Sequence, residues 1–157
     1  MSDLAELLER FRRGPELIAV VLTGVGPEEA DFVPAPGKWS LRQITAHLAD
    51  AELVGAHRFR SVIAEDSPAL TAYDQAAWAA RLDYSRRKPA QSLDSFRRLR
   101  TENHDLLKAL PESEFERAGR HSENGPMTLR QMVEVHAAHA ESHARQIQAI
   151  RDEYRKR

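Results

Sequence analysis

The chain of 157 residues has no cysteine. Disulfides, cysteine-ligated zinc and a cysteine nucleophile are excluded, and thiol chemistry would need a thiol supplied from outside. Neither sign of charge is in excess: 23 lysines and arginines stand against 24 aspartates and glutamates, a formal net charge of −1. That balance argues against a nucleic-acid partner, whose electrostatic footprint would be basic. The short basic clusters Arg86-Arg87-Lys88, Arg97-Arg98-Leu99-Arg100 and Arg155-Lys156-Arg157 are diluted by acids and read as solvated helix faces and ends. Long apolar runs are missing too. The longest, Leu17 to Leu22, is far too short to span a bilayer, and the N-terminal MSDLAELLERFRR has no apolar signal core. A cytoplasmic protein without membrane association is the expectation. Period-two alternation is absent beyond a few residues, so no strand is predicted.

What the chain does have is helical periodicity. Four long helices are predicted, at about Ser2–Leu22, Ser40–Glu65, Ser92–Leu110 and Thr128–Tyr154. Gly14-Pro15 interrupts the first and points to a kink or a split. The second and fourth open on Ser40-Leu-Arg-Gln43 and Thr128-Leu-Arg-Gln131, each a capping box. This faint repeat suggests equivalent elements in a two-fold pseudo-symmetric bundle. The connection between the second and third helices is the least regular stretch and holds a short helix at Tyr73–Arg81. The length suits one domain, residues 1–157, and the fold class is an all-α four-helix bundle with that additional short helix.

The fourth helix carries His136, His139 and His143, spaced H-x-x-H-x-x-x-H. Such spacing keeps side chains on one helix face. Here it is the apolar seam of Leu129, Met132, Gln146, Ile147 and Ile150. Imidazoles on a core stripe need a shared partner, and a metal ion supplies one. His47, two turns into the second helix, completes a three-histidine set with His139 and His143. A tri-histidine site without a fourth ligand leaves room for water or substrate, and suits zinc, nickel or iron. The zinc-protease motif H-E-x-x-H is not met, because Glu141 follows His139 by two places and faces away. Glu-x-x-His, the signature of a di-iron bundle, occurs nowhere in the chain.

Other residues are placed by spacing. His136 is open to three roles: a donor behind the ligands, an alternative ligand, or a packed core histidine. Asp50 shares the face of His47 and is a candidate to orient an imidazole or act as a base, or else to pair with an arginine. Glu52 lies further round and reads as structural or as rim. Tyr73, Asp74, Trp78 and Tyr84 fall in a segment long enough to cover a pocket. His121 reads as surface or pocket rim, while His57 and His104 have no partner at ligand spacing.

PGKWSLRQITAHLADAE (36–52), AHRFRSVIAEDSPALTAYDQAAWA (56–79) and HSENGPMTLRQMVEVHAAHAESHARQI (121–147) together resemble the DinB-like superfamily of damage-inducible, metal-binding four-helix bundles. The resemblance implies one divalent metal on His47, His139 and His143, the set that the spacing also selects. It implies a metal-dependent enzyme acting on a small molecule, of hydrolase or thiol S-transferase type, the latter with an external low-molecular-weight thiol. A non-catalytic, metal-binding stress-response bundle is the alternative. Members of the superfamily are often homodimers, a point on which this sequence is silent.

Overall fold

A computed structural model describes residues 2–157. Its long helices are α1 (Asp3–Val21), α3 (Leu41–Ala64), α5 (Pro89–Lys108) and α6 (Leu129–Arg155); α2 (Pro27–Asp31) and α4 (Gln75–Arg81) are short. Each start has a local cause. Ser2 and Asp74 cap α1 and α4 by accepting from the main-chain N–H of Ala5 and Ala77. Both predicted capping boxes form, Ser40 with Gln43 and Thr128 with Gln131.

The expectation that strands are absent is corrected. β1 (Ala69–Leu70) pairs parallel to β2 (Ala118–His121), and β2 pairs antiparallel to β3 (Gly125–Thr128). Glycine makes this small sheet possible. Gly125 turns the hairpin at φ +70°, and at Gly119 a Cβ would stand 2.7 Å from the Leu70 side chain. These strands are very short and contain Gly and Pro in place of alternating apolar residues, so they carry no periodic signal.

α1 packs against α5 and α6, and α3 packs against the same two helices. The consecutive long helices α1 and α3 therefore lie on a diagonal. Two apolar clusters fill the bundle. One gathers Leu7 and Phe11 of α1, Phe59 and Val62 of α3, Leu107 of α5 and Met132 and Val133 of α6. The other gathers Ile18, Leu48, Phe96 and Ile147. The order in which each helix passes through them makes α1 parallel to α6, and α3 parallel to α5. Having left α3 at the first cluster, the chain must return along the bundle to start α5 at the second. Residues 65–88 make that return, and they bring β1, α4, Tyr84 and Arg87 across α3.

Between the two clusters lies a polar layer centred on Arg100, which is only 2% exposed. Its Nε and Nη2 donate to the two carboxylate oxygens of Glu52 at 2.8 and 2.9 Å. Nη1 donates to the Phe11 carbonyl at 2.6 Å, and Nη2 also donates to the His136 carbonyl at 3.3 Å. The Asn103 amide donates to Glu52 at 3.1 Å. The reading of the Arg97–Arg100 cluster as solvated surface fails at this residue. Phe96, Arg100, Asn103 and Leu107 recur at i, i+4, i+7 and i+11, the spacing of one helix face, and this was the available signal.

Candidate metal centre

α3 and α6 run antiparallel and meet near mid-bundle. His47 comes from the second turn of α3, and His139 and His143 from consecutive turns of α6. The three rings converge. Nε2 of His139 lies 3.0 Å from Nε2 of His47 and 3.0 Å from Nε2 of His143. One ring nitrogen from each residue lies within 4.8 Å of the other two. His47 is buried, and the other two are half-buried. The fully buried strip of α6 is Leu129, Met132, Val133, Ala137, Ala140, Ala144, Ile147 and Ile150, so the histidines flank the core rather than occupy its centre.

Electrostatics keep the rings neutral. Burial pushes His139 down to about 3, helped by His143, His47, His136 and Arg100. Burial and His143 push His47 down to about 4, against an upward pull from Asp50. Burial also lowers His143, opposed by its bond to Gln146. Gln146 Oε1 stands 2.7 Å from His143 Nδ1 and accepts a hydrogen bond from its N–H, which leaves a lone pair on the Nε2 that faces the other rings. Nδ1 of His47 is buried with no hydrogen-bond partner, so packing on Trp39 orients this ring, with centroids 5.2 Å apart. Neutral imidazoles whose Nε2 atoms crowd together lack the protons to satisfy one another. The donor set fits one divalent transition-metal ion.

The remaining candidates separate. His136 stands outside the converging group: its Nδ1 is 3.5 Å from Glu52 and its ring packs on Phe59. Gly55 makes room for it, since a Cβ there would collide with the imidazole. Glu52 is structural, as its spacing suggested. Burial alone would raise its pKa, but the charge of Arg100 and the bond to His136 hold it down at about 2. Asp50 accepts from the Tyr84 hydroxyl at 2.7 Å and from Arg87 at 2.8 Å, so of its three readings the structure displays the arginine pair. Glu141 faces away and pairs with Arg10 at 2.9 Å. In the 67–89 segment, Tyr84 is fully buried and packs on Trp39, while Tyr73 stacks against Trp78 at 4.5 Å. His121 ties the hairpin turn by accepting from the N–H groups of Glu123 and Asn124. Sequence reasoning read Arg87 as part of a solvated basic cluster and missed its pairing with Asp50, which is distant in the chain.

The sequence pattern of the DinB superfamily matches residues 10–147. The chain belongs to the DinB superfamily. Two bacterial relatives have names that propose metal-dependent hydrolases. One, from Oceanobacillus iheyensis, is 28% identical over 87% of this chain and 78% of its own length. The other, from Bacillus licheniformis, is 27% identical over 95% of this chain and 85% of its own length. YfiT from Bacillus subtilis, described as having an unusual four-helix bundle topology, superimposes with a TM-score of 0.88 at 24% identity, over 96% of this chain and 87% of that one. That likeness establishes the four-helix bundle fold of this DinB-superfamily chain. No described helix is long and apolar enough to cross a membrane.

Proposed function

We propose that the protein is a metal-dependent hydrolase acting on a small molecule in the cytoplasm, with one divalent ion held by His47, His139 and His143. The observation that carries this reading is the convergence of three neutral imidazole nitrogens with, among the described residues, no fourth His, Cys, Asp or Glu in the group. A structural site usually closes with a fourth ligand. His136 is the nearest in sequence to supply one, and it is turned to Glu52 instead. When bound, the ion supplies a Lewis acid that keeps its full charge among neutral ligands and lowers the pKa of a bound water or thiol.

The chain's own residues provide the rest. Gln146 fixes the His143 tautomer, and Trp39 holds the His47 ring from behind. Arg87 and Tyr84 engage Asp50, so this acid serves better to anchor the 84–87 segment over α3 than as a free base. The relatives' names support hydrolysis, and the absence of cysteine leaves the thiol S-transferase reading dependent on an outside thiol.

Elemental analysis of untagged protein tests the proposal. About one divalent ion per chain is expected, lost in the His139→Ala/His143→Ala variant. Cobalt substitution then separates the chemistries. A thiolate-to-cobalt band with glutathione or bacillithiol favours the transferase, and its absence together with ester or amide hydrolysis favours the hydrolase. Unchanged metal content in the double variant would sink the assignment.

A further inference from the structure

A pocket of about 380 Å³ opens between α3 and the returning 69–78 segment. None of the three histidines lines it. Its walls are mostly apolar, with Leu53, Val54, Leu70 and Trp78 prominent; His57 and Thr71 also line it, together with two further polar side chains, Arg58 and Tyr73.

Both are incompletely satisfied. Arg58 donates from Nη2 to the Thr71 carbonyl at 2.6 Å, yet its Nε is buried without a partner. Among the described residues no carboxylate forms an ion pair with it, and Tyr73 is the one titratable neighbour that acts on its charge. The Tyr73 hydroxyl is likewise buried and makes no hydrogen bond of ordinary geometry, although the Gln75 side chain approaches it. A half-buried guanidinium without a counter-charge and a buried phenol without a well-formed hydrogen bond, in one cavity, are a cost to the fold unless something fills them. Every other arginine that reaches the interior has an acid or several carbonyls: Arg100 has Glu52, Arg151 has Glu29, and Arg87 has Asp50.

We propose that this pocket binds the carboxylate of an organic acid with an apolar body. The carboxylate's two oxygens accept from Arg58 and Tyr73, and the body lies on Leu53, Val54 and Trp78. The single fixed positive charge of Arg58 matches a monoanion better than a phosphate dianion. Nε and the phenol are closed to water, so the ligand reaches them through a side-chain rotation of Arg58 or Tyr73. Such a rotation is local, because the 69–72 backbone is held: Arg120 N–H donates to the Pro68 carbonyl at 2.8 Å and Ser122 N–H to the Leu70 carbonyl at 3.2 Å. Val54 and Arg58 follow His47 by seven and eleven residues. The pocket and the histidines thus share a side of α3, roughly 10 to 17 Å apart along the helix. The assignment goes beyond the metal reading and stands without it.

The test is an NMR titration with phenylacetate, compared with 2-phenylethanol and phenylphosphonate. It is run on the wild-type protein and on His139→Ala/His143→Ala, where a carboxylate has no histidine-bound metal to ligate. Saturable shifts of the Trp78 indole and Arg58 Nε–H signals are expected in both proteins with phenylacetate, and much weaker ones with the alcohol. Arg58→Gln should weaken binding about tenfold or more, and Tyr73→Phe by a smaller factor. Circular dichroism checks that each variant is folded; should Arg58→Gln fail to fold, Tyr73→Phe decides. The proposal is overturned by any of four results: no saturable shift, equal binding of the alcohol, tighter binding of the phosphonate, or shifts that vanish in the double histidine variant. If metal binding fails but phenylacetate binds, only the hydrolase reading is lost.

Discussion

Arg100 donates to the carbonyl oxygen of Phe11 at 2.6 Å, the oxygen that Pro15, four residues on, has no N–H to bond. A proline inside a helix frees the i−4 carbonyl. Here the vacated acceptor points at a buried guanidinium from α5, and α1 stays continuous through the proline. The same guanidinium holds Glu52 on α3 and the His136 carbonyl on α6, so one side chain ties all four long helices. It thereby sets the height of α6 against α3, on which the meeting of His139 with His47 depends.

Removing Arg100 should therefore be severe. Arg100→Leu leaves the Glu52 carboxylate buried without its guanidinium partner, with an expected loss of about 3–5 kcal/mol in denaturant unfolding. Adding Glu52→Gln should recover part of that loss. A double variant as unstable as the sum of both singles would refute the coupling.

Gly14 and Pro15 should respond differently. A Cβ at Gly14 would stand 2.6 Å from Arg100 Nη1 and 2.9 Å from the Ala140 Cβ. Gly14→Ala should cost about 1–3 kcal/mol despite its better helix propensity. Pro15→Ala should change stability far less, because its new N–H only shares an oxygen already bonded. Thermal melts of the two variants distinguish these outcomes.

Gln146 acts on the candidate centre through His143. Gln146→Ala should weaken zinc affinity by roughly 10–100-fold, the usual effect of losing a hydrogen bond behind a ligand. The melting temperature of the metal-free protein should barely move, since Gln146 is exposed. Competition titration with a chromophoric chelator measures the first, and calorimetry the second.

Metal should stabilise the bundle without being needed to form it. Both apolar clusters and both capping boxes lie outside the three-histidine group. At a hundred times its dissociation constant, an ion adds about 2.7 kcal/mol. Chelation should lower the melting temperature and leave a cooperative, helical transition. A chelated protein with no helical far-ultraviolet signal would contradict this.

Acid should act through Glu52. Its pKa is about 2 in the fold against an ordinary 4.5, so the unfolded chain binds the proton more readily. The stability it contributes is fully present above about pH 4.5 and is lost as pH falls from there towards 2. Denaturant unfolding of the metal-free protein between pH 5 and 3 should show this slope, and Glu52→Gln should flatten it. Identical slopes would place the acid sensitivity elsewhere.

The local signals in the sequence determined the four long helices, their two capping boxes and the His47–His139–His143 set. Capping and helical periodicity act within a few residues, and a 3-then-4 spacing places side chains on one face whatever packs against it. The tertiary structure alone decided the rest. Arg100 looked like one of three basic surface residues until three other helices supplied its acceptors. His136 lay on the same face as the other two histidines of α6 and was diverted by Glu52, which comes from another helix. Asp50 was taken by Tyr84 and Arg87 because residues 65–88 must run back along a bundle in which α3 and α5 are parallel. The small sheet, too, rests on pairing between segments about fifty residues apart, through backbone groups that every sequence has. Partners distant in the chain leave no periodic trace, and only packing brings them together.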